Sequence, residues 1–456
     1  MKTRARACLI GSLLTFLGCA DSWAGDAPSS SPQFKVETVD VAPAWSAQLA
    51  NFALLTHGDQ QFVAFYDDQR RMTLAQRTLG QANWKFKVLP STLGWDSHNY
   101  VTMTLDSANC LHVSGNMHAV PLVYFRATKP LDIDSVVPVK QMTGQNESSV
   151  TYPIFLHGPS GELIFSYRDG RSGDGDNLFN IYDPATQTWR RLIDAPLMDG
   201  QGKRNAYMIG PNLGPDGYYH VSWVWRDSYD VATCHDLSYM RSRDLVHWET
   251  VEGKPLTLPI TMATPGVIVD PIPVHGGIVN GMGRVGFDAN NRVIISYPKY
   301  DAHGITQLYL ATYENGAWKS VQGSDWKRRF EFSGGGTVPD YGFYIGTPKM
   351  RSNQLTISIT HRDYAKANWI LDPQTLHLLS PAPVDPRGKA LWPLSKPEST
   401  FPGMQVHWSD DLGSTTTDDA APFHLRWESL PPNRDQPRQP PLPPAATLRV
   451  VSVTNS

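Results

Sequence analysis

One short pattern recurs six times along this chain, and it restricts the fold more than any other feature. A turn rich in Gly, Asp, Asn or Ser leads into four or five alternating apolar residues, and these end in an aromatic, basic and acidic cluster. The copies run over Gly58 to Asp68, Asp106 to His118, Gly158 to Asp169, Gly214 to Asp227, Asp288 to Asp301 and Arg351 to Asp363. Their mean period is about 60 residues, and a repeat of this kind has to be read before the fold is. Period-two alternation bounded by turn residues specifies antiparallel strands with one buried face. One four-stranded sheet cannot cover both its faces, whereas several stacked around an axis do, so the expected fold is all-β, a seven-bladed β-propeller. The seventh blade is expected from both ends of the chain, Phe34 to Val41 pairing with His424 to Trp427 and Leu448 to Val453. A pair of β-sandwiches or a right-handed β-helix are the alternatives, and the long irregular period counts against the helix. The proline-rich stretch Leu430 to Pro444 is expected to be an exposed connection, because proline lacks the ladder donor.

Composition agrees with a loop-rich β protein that stacks rings on a ligand. Only 18% of the 456 residues are charged, while 11% are aromatic, with 14 Trp, 36 Gly and 36 Pro. Forty basic against 43 acidic side chains give a net charge of −3, which argues against a nucleic-acid partner or a polybasic membrane anchor. Residues 1–24 read as an export signal, with Lys2, Arg4 and Arg6 before an apolar run and Ser22-Trp23-Ala24 as the cleavage site. A lipid-modified Cys19 is the alternative. The expected organisation is therefore a signal followed by one propeller domain over 25–456, periplasmic or secreted and monomeric, with no membrane span. Cys110 and Cys234 remain in the mature chain, where one disulfide is permissible but buried free thiols are expected. There is no CxxC, HExxH, GxSxG or P-loop, so the usual marks of zinc peptidases, serine esterases and nucleotide-binding enzymes are missing.

The expected site is the stretch from Trp95 to His118, which holds His98 and His118, each beside an amide, Asn99 and Asn116. If the polar endings all lie at the same end of equivalent strands, His118, Tyr167-Arg168, Trp225-Arg226, Lys299-Tyr300 and His361-Arg362 surround one pocket. Tyr207, in Arg204-Asn205-Ala206-Tyr207, joins the substrate-binding group with Asn99, Asn116, Tyr167, Arg226, Lys299, His361 and Arg362. Convergent Arg, Lys, His and aromatic groups suit an acidic oligo- or polysaccharide, since Arg pairs with a carboxylate through two parallel bonds and rings stack on sugar faces. β-Elimination at a uronic acid uses this set without a cofactor: Arg168 neutralises the carboxylate, and His118 or His98 removes the adjacent ring proton. The acidic members of the endings, Asp67, Asp68, Asp169, Asp227, Asp301 and Asp363, are expected to pair with neighbouring basic groups instead of forming the paired carboxylates of a glycoside hydrolase. The Gly/Asp-rich loop Gly170 to Asp176 hints at calcium but lacks EF-hand spacing, and Cys234-His235 has no second ligand pair to make a metal site.

The segments WDSHNYVTMTLD, HVSGNMHAVPLVYFR, YPIFLHGPSGELIFSYRDGRSGDG, DGQGKRNAYMIGP and HDLSYMRSRDLVHWE resemble BNR-repeat seven-bladed propellers, in particular the L-rhamnose-α-1,4-D-glucuronate lyases, with ulvan lyases as more distant relatives. The similarity runs over roughly residues 45 to 375. It implies lyase roles for His98, His118 and Arg168, action on glycans of arabinogalactan or gum type, and a central calcium ion to which no ligands are assigned. Some proteins of this group resemble the chain at Leu54-Leu55-Thr56-His57-Gly58-Asp59 and are described as α-L-rhamnosidases, which implies an alternative hydrolytic site at His57. A non-catalytic glycan-binding propeller is the third alternative.

Overall fold

The computed structural model describes residues 34–338, 340–413 and 423–455; the expected export signal and Cys19 lie outside them. The chain is all-β and propeller-like, and its strands form six sheets among the described residues. In chain order, Ala53–His57, Gln60–Tyr66, Arg71–Thr78 and Lys85–Thr92 make one meander, and Val101–Leu105, Leu111–Gly115, Tyr124–Ala127 and Val136–Pro138 the next. An eleven-stranded sheet follows. It holds two antiparallel runs, Val150–His157 to Thr188–Arg191 and Asn205–Leu213 to Trp248–Glu249, which touch through a single parallel bridge from Gly175 to Asn205. Two further sheets cover Arg284–Phe287 to Ala317–Gln322 and Phe343–Ile345 to Leu378–Pro381.

Each of the six repeat copies supplies the second strand of its sheet or run: Gln60–Tyr66, Leu111–Gly115, Leu163–Arg171, Tyr219–Arg226, Val293–Tyr300 and Gln354–His361. That position has a strand on both sides, and in most copies burial along it is near-continuous where the sequence alternates. Every residue of Tyr219–Arg226 is buried, including Trp223 and Trp225.

The two chain ends meet as the sequence suggests. Phe34–Ala44 pairs antiparallel with Ala446–Asn455, which continues into Phe423–Ser429 and Gln405–Asp410. This sheet packs on the first meander through Trp427, whose ring lies 4.9 Å from that of Phe52. Leu430 to Pro444 carries no strand, as expected. It does not simply run over the surface, however, because the turn at Asn433 to Gln436 reaches the pocket described next.

Candidate functional site

The segment Trp95 to Tyr100 leaves Lys85–Thr92 and folds back at Asp96. One oxygen of that carboxylate, Oδ1, accepts the backbone N–H of His98 at 2.8 Å and lies 2.6 Å from His98 Nδ1. The other, Oδ2, meets Nδ1 of His118, the first residue of strand His118–Val120. The two imidazole rings stand 4.0 Å apart at a tilt of 32°. A carboxylate accepts only, so each histidine gives it an Nδ1–H, and each Nε2 keeps its lone pair for the pocket. Burial alone would raise the pKa of Asp96, but the hydrogen bonds from His118 and His98 outweigh it and hold the group well below the usual carboxylate range. Sequence reasoning nominated both histidines and passed over the Asp two positions before His98 that joins them.

Behind His118 the sheet is organised by Thr151. In register it faces His118 on one side and Arg168 on the other, so all three share one face. Its Oγ1 accepts both the N–H of Ala119, at 2.8 Å, and Nη2–H of Arg168, at 3.0 Å. The register then slips between Thr151 and Ile154, and Tyr152 takes a left-handed φ of 58°. Such an irregularity re-aims a side chain. Here the Tyr152 ring sits 5.7 Å from His98, 6.2 Å from Tyr207 and under the Arg168 guanidinium at 5.0 Å. Burial, then the neighbouring Tyr207, pushes the Tyr152 hydroxyl well above its ordinary pKa, and Arg168 and Arg226 only partly offset this. At neutral pH the phenol therefore keeps its proton.

Arg168 is 1% exposed and has no ion pair among the described residues; its Nε and Nη1 have no hydrogen-bond partner. The side chain of Asn205, across Gly175 from it, is likewise buried and unpartnered. A positive charge left uncompensated at this depth is costly unless an anion completes it.

His98, His118 and Tyr152 open into a cavity of about 280 Å³ lined also by Asp96, Ser172, Tyr207, Arg226, Tyr229, Asn280, Thr337, Tyr341 and the turn Arg434 to Gln436, whereas the nominated Arg168 is buried and is not part of this lining. Arg226 is pinned by its Nε to the Ser228 carbonyl at 3.0 Å and packs on Tyr207. Tyr207 shares a hydrogen bond of 2.7 Å with Ser172. A larger cleft of about 470 Å³, lined by Trp326, Tyr364 and Trp369, contains none of the nominated residues.

Several nominated side chains lie elsewhere. Lys299 turns to Asp270, 2.5 Å away, and packs on Tyr309. His361 is buried among Trp326, Phe330 and Tyr364, and Arg362 pairs with Asp340 at the surface. The Tyr167 ring lies beside Phe165 in the core and its hydroxyl accepts from Arg191, since alternation sends it to the face opposite Arg168. Asn99 is buried outside the pocket lining, and Asn116, at φ 61°, secures its turn through Ser91 and Thr92. A shared strand end did not suffice, because alternate residues face opposite ways. His57 is exposed at the far end of a strand whose start lies beside the His98 segment. Of the carboxylates in the repeat endings, Asp67 pairs with Arg71, Asp363 with Arg328 and Asp227 with Arg204 and His235, whereas Asp169 accepts from Asn146 and Asp301 from Gln307. Cys110 and Cys234 are buried free thiols.

Asp96, His98, His118 and Asp435 form the one group among the described residues able to hold a metal, with ligand atoms within 4.8 Å of one another. Calcium takes six to eight oxygen ligands. A set in which two of four donors are imidazole nitrogens does not fit the calcium ion expected from the resemblance.

A family model described as "BNR repeat-containing family member" matches residues 60–326, more than half of the chain. The chain belongs to the BNR repeat-containing family. Within reach of this BNR-repeat chain is an ulvan lyase, short isoform, of Alteromonas sp. (strain LOR), 28% identical over 136 residues. That match takes in 28% of this chain and 26% of the relative, about a quarter of the relative's length. Among solved structures, the polysaccharide lyase Uly1 superposes with a TM-score of 0.57 at 12% identity, covering 91% of this chain and 98% of that one. A PL25 ulvan lyase bound to -[GlcA(1-4)Rha3S]- gives 0.58 at 13% identity, covering 90% and 94%. At such identities the likeness establishes the fold that this BNR-repeat chain shares with them. No helix of the described residues is long and apolar enough to cross a membrane.

Proposed function

We propose that this chain is a polysaccharide lyase that cleaves the L-rhamnose-α-1,4-D-glucuronate linkage of arabinogalactan- or gum-type glycans by β-elimination. The observation that carries the reading is the pair of imidazoles on Asp96, which line one cavity with Tyr152 and Arg226, while Arg168 lies buried without a counter-ion against the Tyr152 and Tyr207 rings. A uronate suits this set: the sugar brings a negative charge to Arg226 and into the field of Arg168, and places an acidic ring proton nearby. Arg226 meets the carboxylate at the pocket wall, and Arg168 adds its field from behind Tyr152 and Tyr207. His118 Nε2 takes the proton from the ring carbon next to the carboxylate. Those electrons form the carbon–carbon double bond as the bond to the glycosidic oxygen breaks, and that oxygen takes the proton of the Tyr152 hydroxyl. Exchange with water then returns His118 and Tyr152 to their starting states. His98 shares Asp96 with His118 and positions the sugar, and no cofactor enters the reaction.

The same reading takes the sheets as seven blades of one closed propeller over 25–456, working as an exported monomer. The terminal sheet formed from both chain ends supports this. The lyase relatives support the reaction class. Among the described residues, the one group of His and carboxylate ligands close enough to act together does not include His57, so the hydrolytic alternative gains no support.

Incubation with a rhamnose-capped glucuronate glycan tests the reading. A lyase releases rhamnose and leaves an unsaturated uronate that absorbs ultraviolet light; rhamnose without that absorbance means a hydrolase, and binding without any product means a lectin.

A further inference from the structure

The turn that reaches the pocket from the proline-rich segment is built against local preference. Gln436 N–H donates to the Asn433 carbonyl at 3.0 Å, and the two central residues, Arg434 and Asp435, have φ of 55° and 60°. Two successive left-handed residues make a type I′ turn, whose favoured sequence is Asn-Gly; aspartate tolerates that backbone, but arginine adopts it only with strain. The surroundings hold it there. Asp435 Oδ2 accepts the Thr337 N–H at 2.8 Å, and Arg434 Nη1 donates to the carbonyls of Ser333 and Gly335. Gly336 leaves no room for a side chain, since a Cβ would stand 2.5 Å from the Arg434 carbonyl oxygen.

The same contacts continue in both directions. Towards the histidines, Thr337 Oγ1 shares a 2.6 Å hydrogen bond with Ser97 Oγ and lies 3.3 Å from His98 Nδ1. Away from them, Gly334 N–H donates to Asp230 at 2.7 Å and its carbonyl accepts from Val231 N–H at 2.9 Å, beside Tyr229 in the pocket lining. From His98 to Tyr229 the rim is thus one hydrogen-bonded belt of four segments distant in sequence. A glycan chain leaving the pocket on that side would have to part it. At about 280 Å³ the cavity is also just below the roughly 300–1,000 Å³ usual for small-ligand sites, room for few sugar rings.

We propose that the Arg434–Asp435 turn is the specificity-determining wall of this pocket: it makes the pocket blind on the His98 side and confines cleavage to chain ends. The inference rests on the lyase reading above. Arg434 and Asp435 are positioning residues, and the strain at Arg434 persists because the wall needs the two anchors that Asn-Gly would lack.

The test uses a desulfated polymer of alternating glucuronate and rhamnose, with ultraviolet absorbance and polymer size followed together. Wild-type protein is expected to release small unsaturated products while the polymer keeps most of its length. The double variant Arg434→Asn, Asp435→Gly keeps the preferred turn chemistry without the anchors. It is expected to melt no lower than wild type and to shorten the polymer from the first percent of bonds cut. Gly336→Ala, which pushes the turn outward, is expected to shift the product pattern the same way. Early shortening of the polymer by wild-type protein would overturn the wall while leaving the lyase reading intact. An unchanged product pattern in both variants would overturn it too, and absence of any unsaturated product from wild type would remove both.

Discussion

At the scale of single residues the site depends on one carboxylate. Asp96 fixes two imidazoles at once, each of its oxygens accepting from one Nδ1–H. Asp96→Asn keeps the shape but offers an amide that cannot accept from both rings, so kcat is expected to fall by about 10²–10⁴-fold with KM little changed. Steady-state kinetics on the rhamnose-capped glycan check this. A second carboxylate behaves in the opposite way. Burial, then the facing Asp199, pushes Asp176 up to about 6 from 3.8. A raised acid value means that the folded state disfavours the ionised form, so the associated stability is complete below 3.8 and is lost as pH rises through 6. Asp176→Asn is therefore expected to raise Tm by about 1 to 2 °C at pH 8 and leave it unchanged at pH 4 in thermal unfolding.

At the scale of elements the site is set by how the strand Val150–His157 is paired. Thr151 brings His118 and Arg168 to one face, and the register slip that follows turns Tyr152 into the cavity. Arg168 is held in turn by the backbone across from it. A Cβ at Gly175 would stand 3.0 Å from Arg168 Cδ and 2.8 Å from Asn205 Oδ1. Gly175→Ala is expected to displace the guanidinium and cut kcat/KM by about 10-fold or more, with a modest loss of stability, since misplacing a charged group by a fraction of an ångström weakens transition-state stabilisation. Activity and Tm measured on the same preparation separate the two effects. None of this pairing was legible in the sequence, where Tyr152 is one aromatic residue before Pro153 and Gly175 one glycine in a loop.

At the scale of the whole molecule the repeat was legible because strand alternation is a local property, and all six copies take the same place in their sheets. His98 and His118 were legible because one hairpin links them: His98 lies in the turn before Val101–Leu105, and His118 follows the partner strand Leu111–Gly115, whose end returns to Val101. Lys299, His361 and Arg362 were not excluded by the same logic, since a repeated ending gives the strand end and leaves open the partner that captures the side chain. Asp270, Trp326 and Asp340 are such partners. Asp435 lies 338 positions from Ser97, with which it hydrogen-bonds, so only the folded chain reveals that the proline-rich segment belongs to the site.

The central claim is that His118, on the Asp96 carboxylate, removes a proton in an elimination. Its most direct measurement is the initial rate of ultraviolet-absorbing product from a rhamnose-capped glucuronate glycan, compared among wild type, His118→Ala and His57→Ala. The account predicts a loss of about 10²-fold or more for His118→Ala and a wild-type rate for His57→Ala. Full activity in His118→Ala, or its loss in His57→Ala alone, would contradict it.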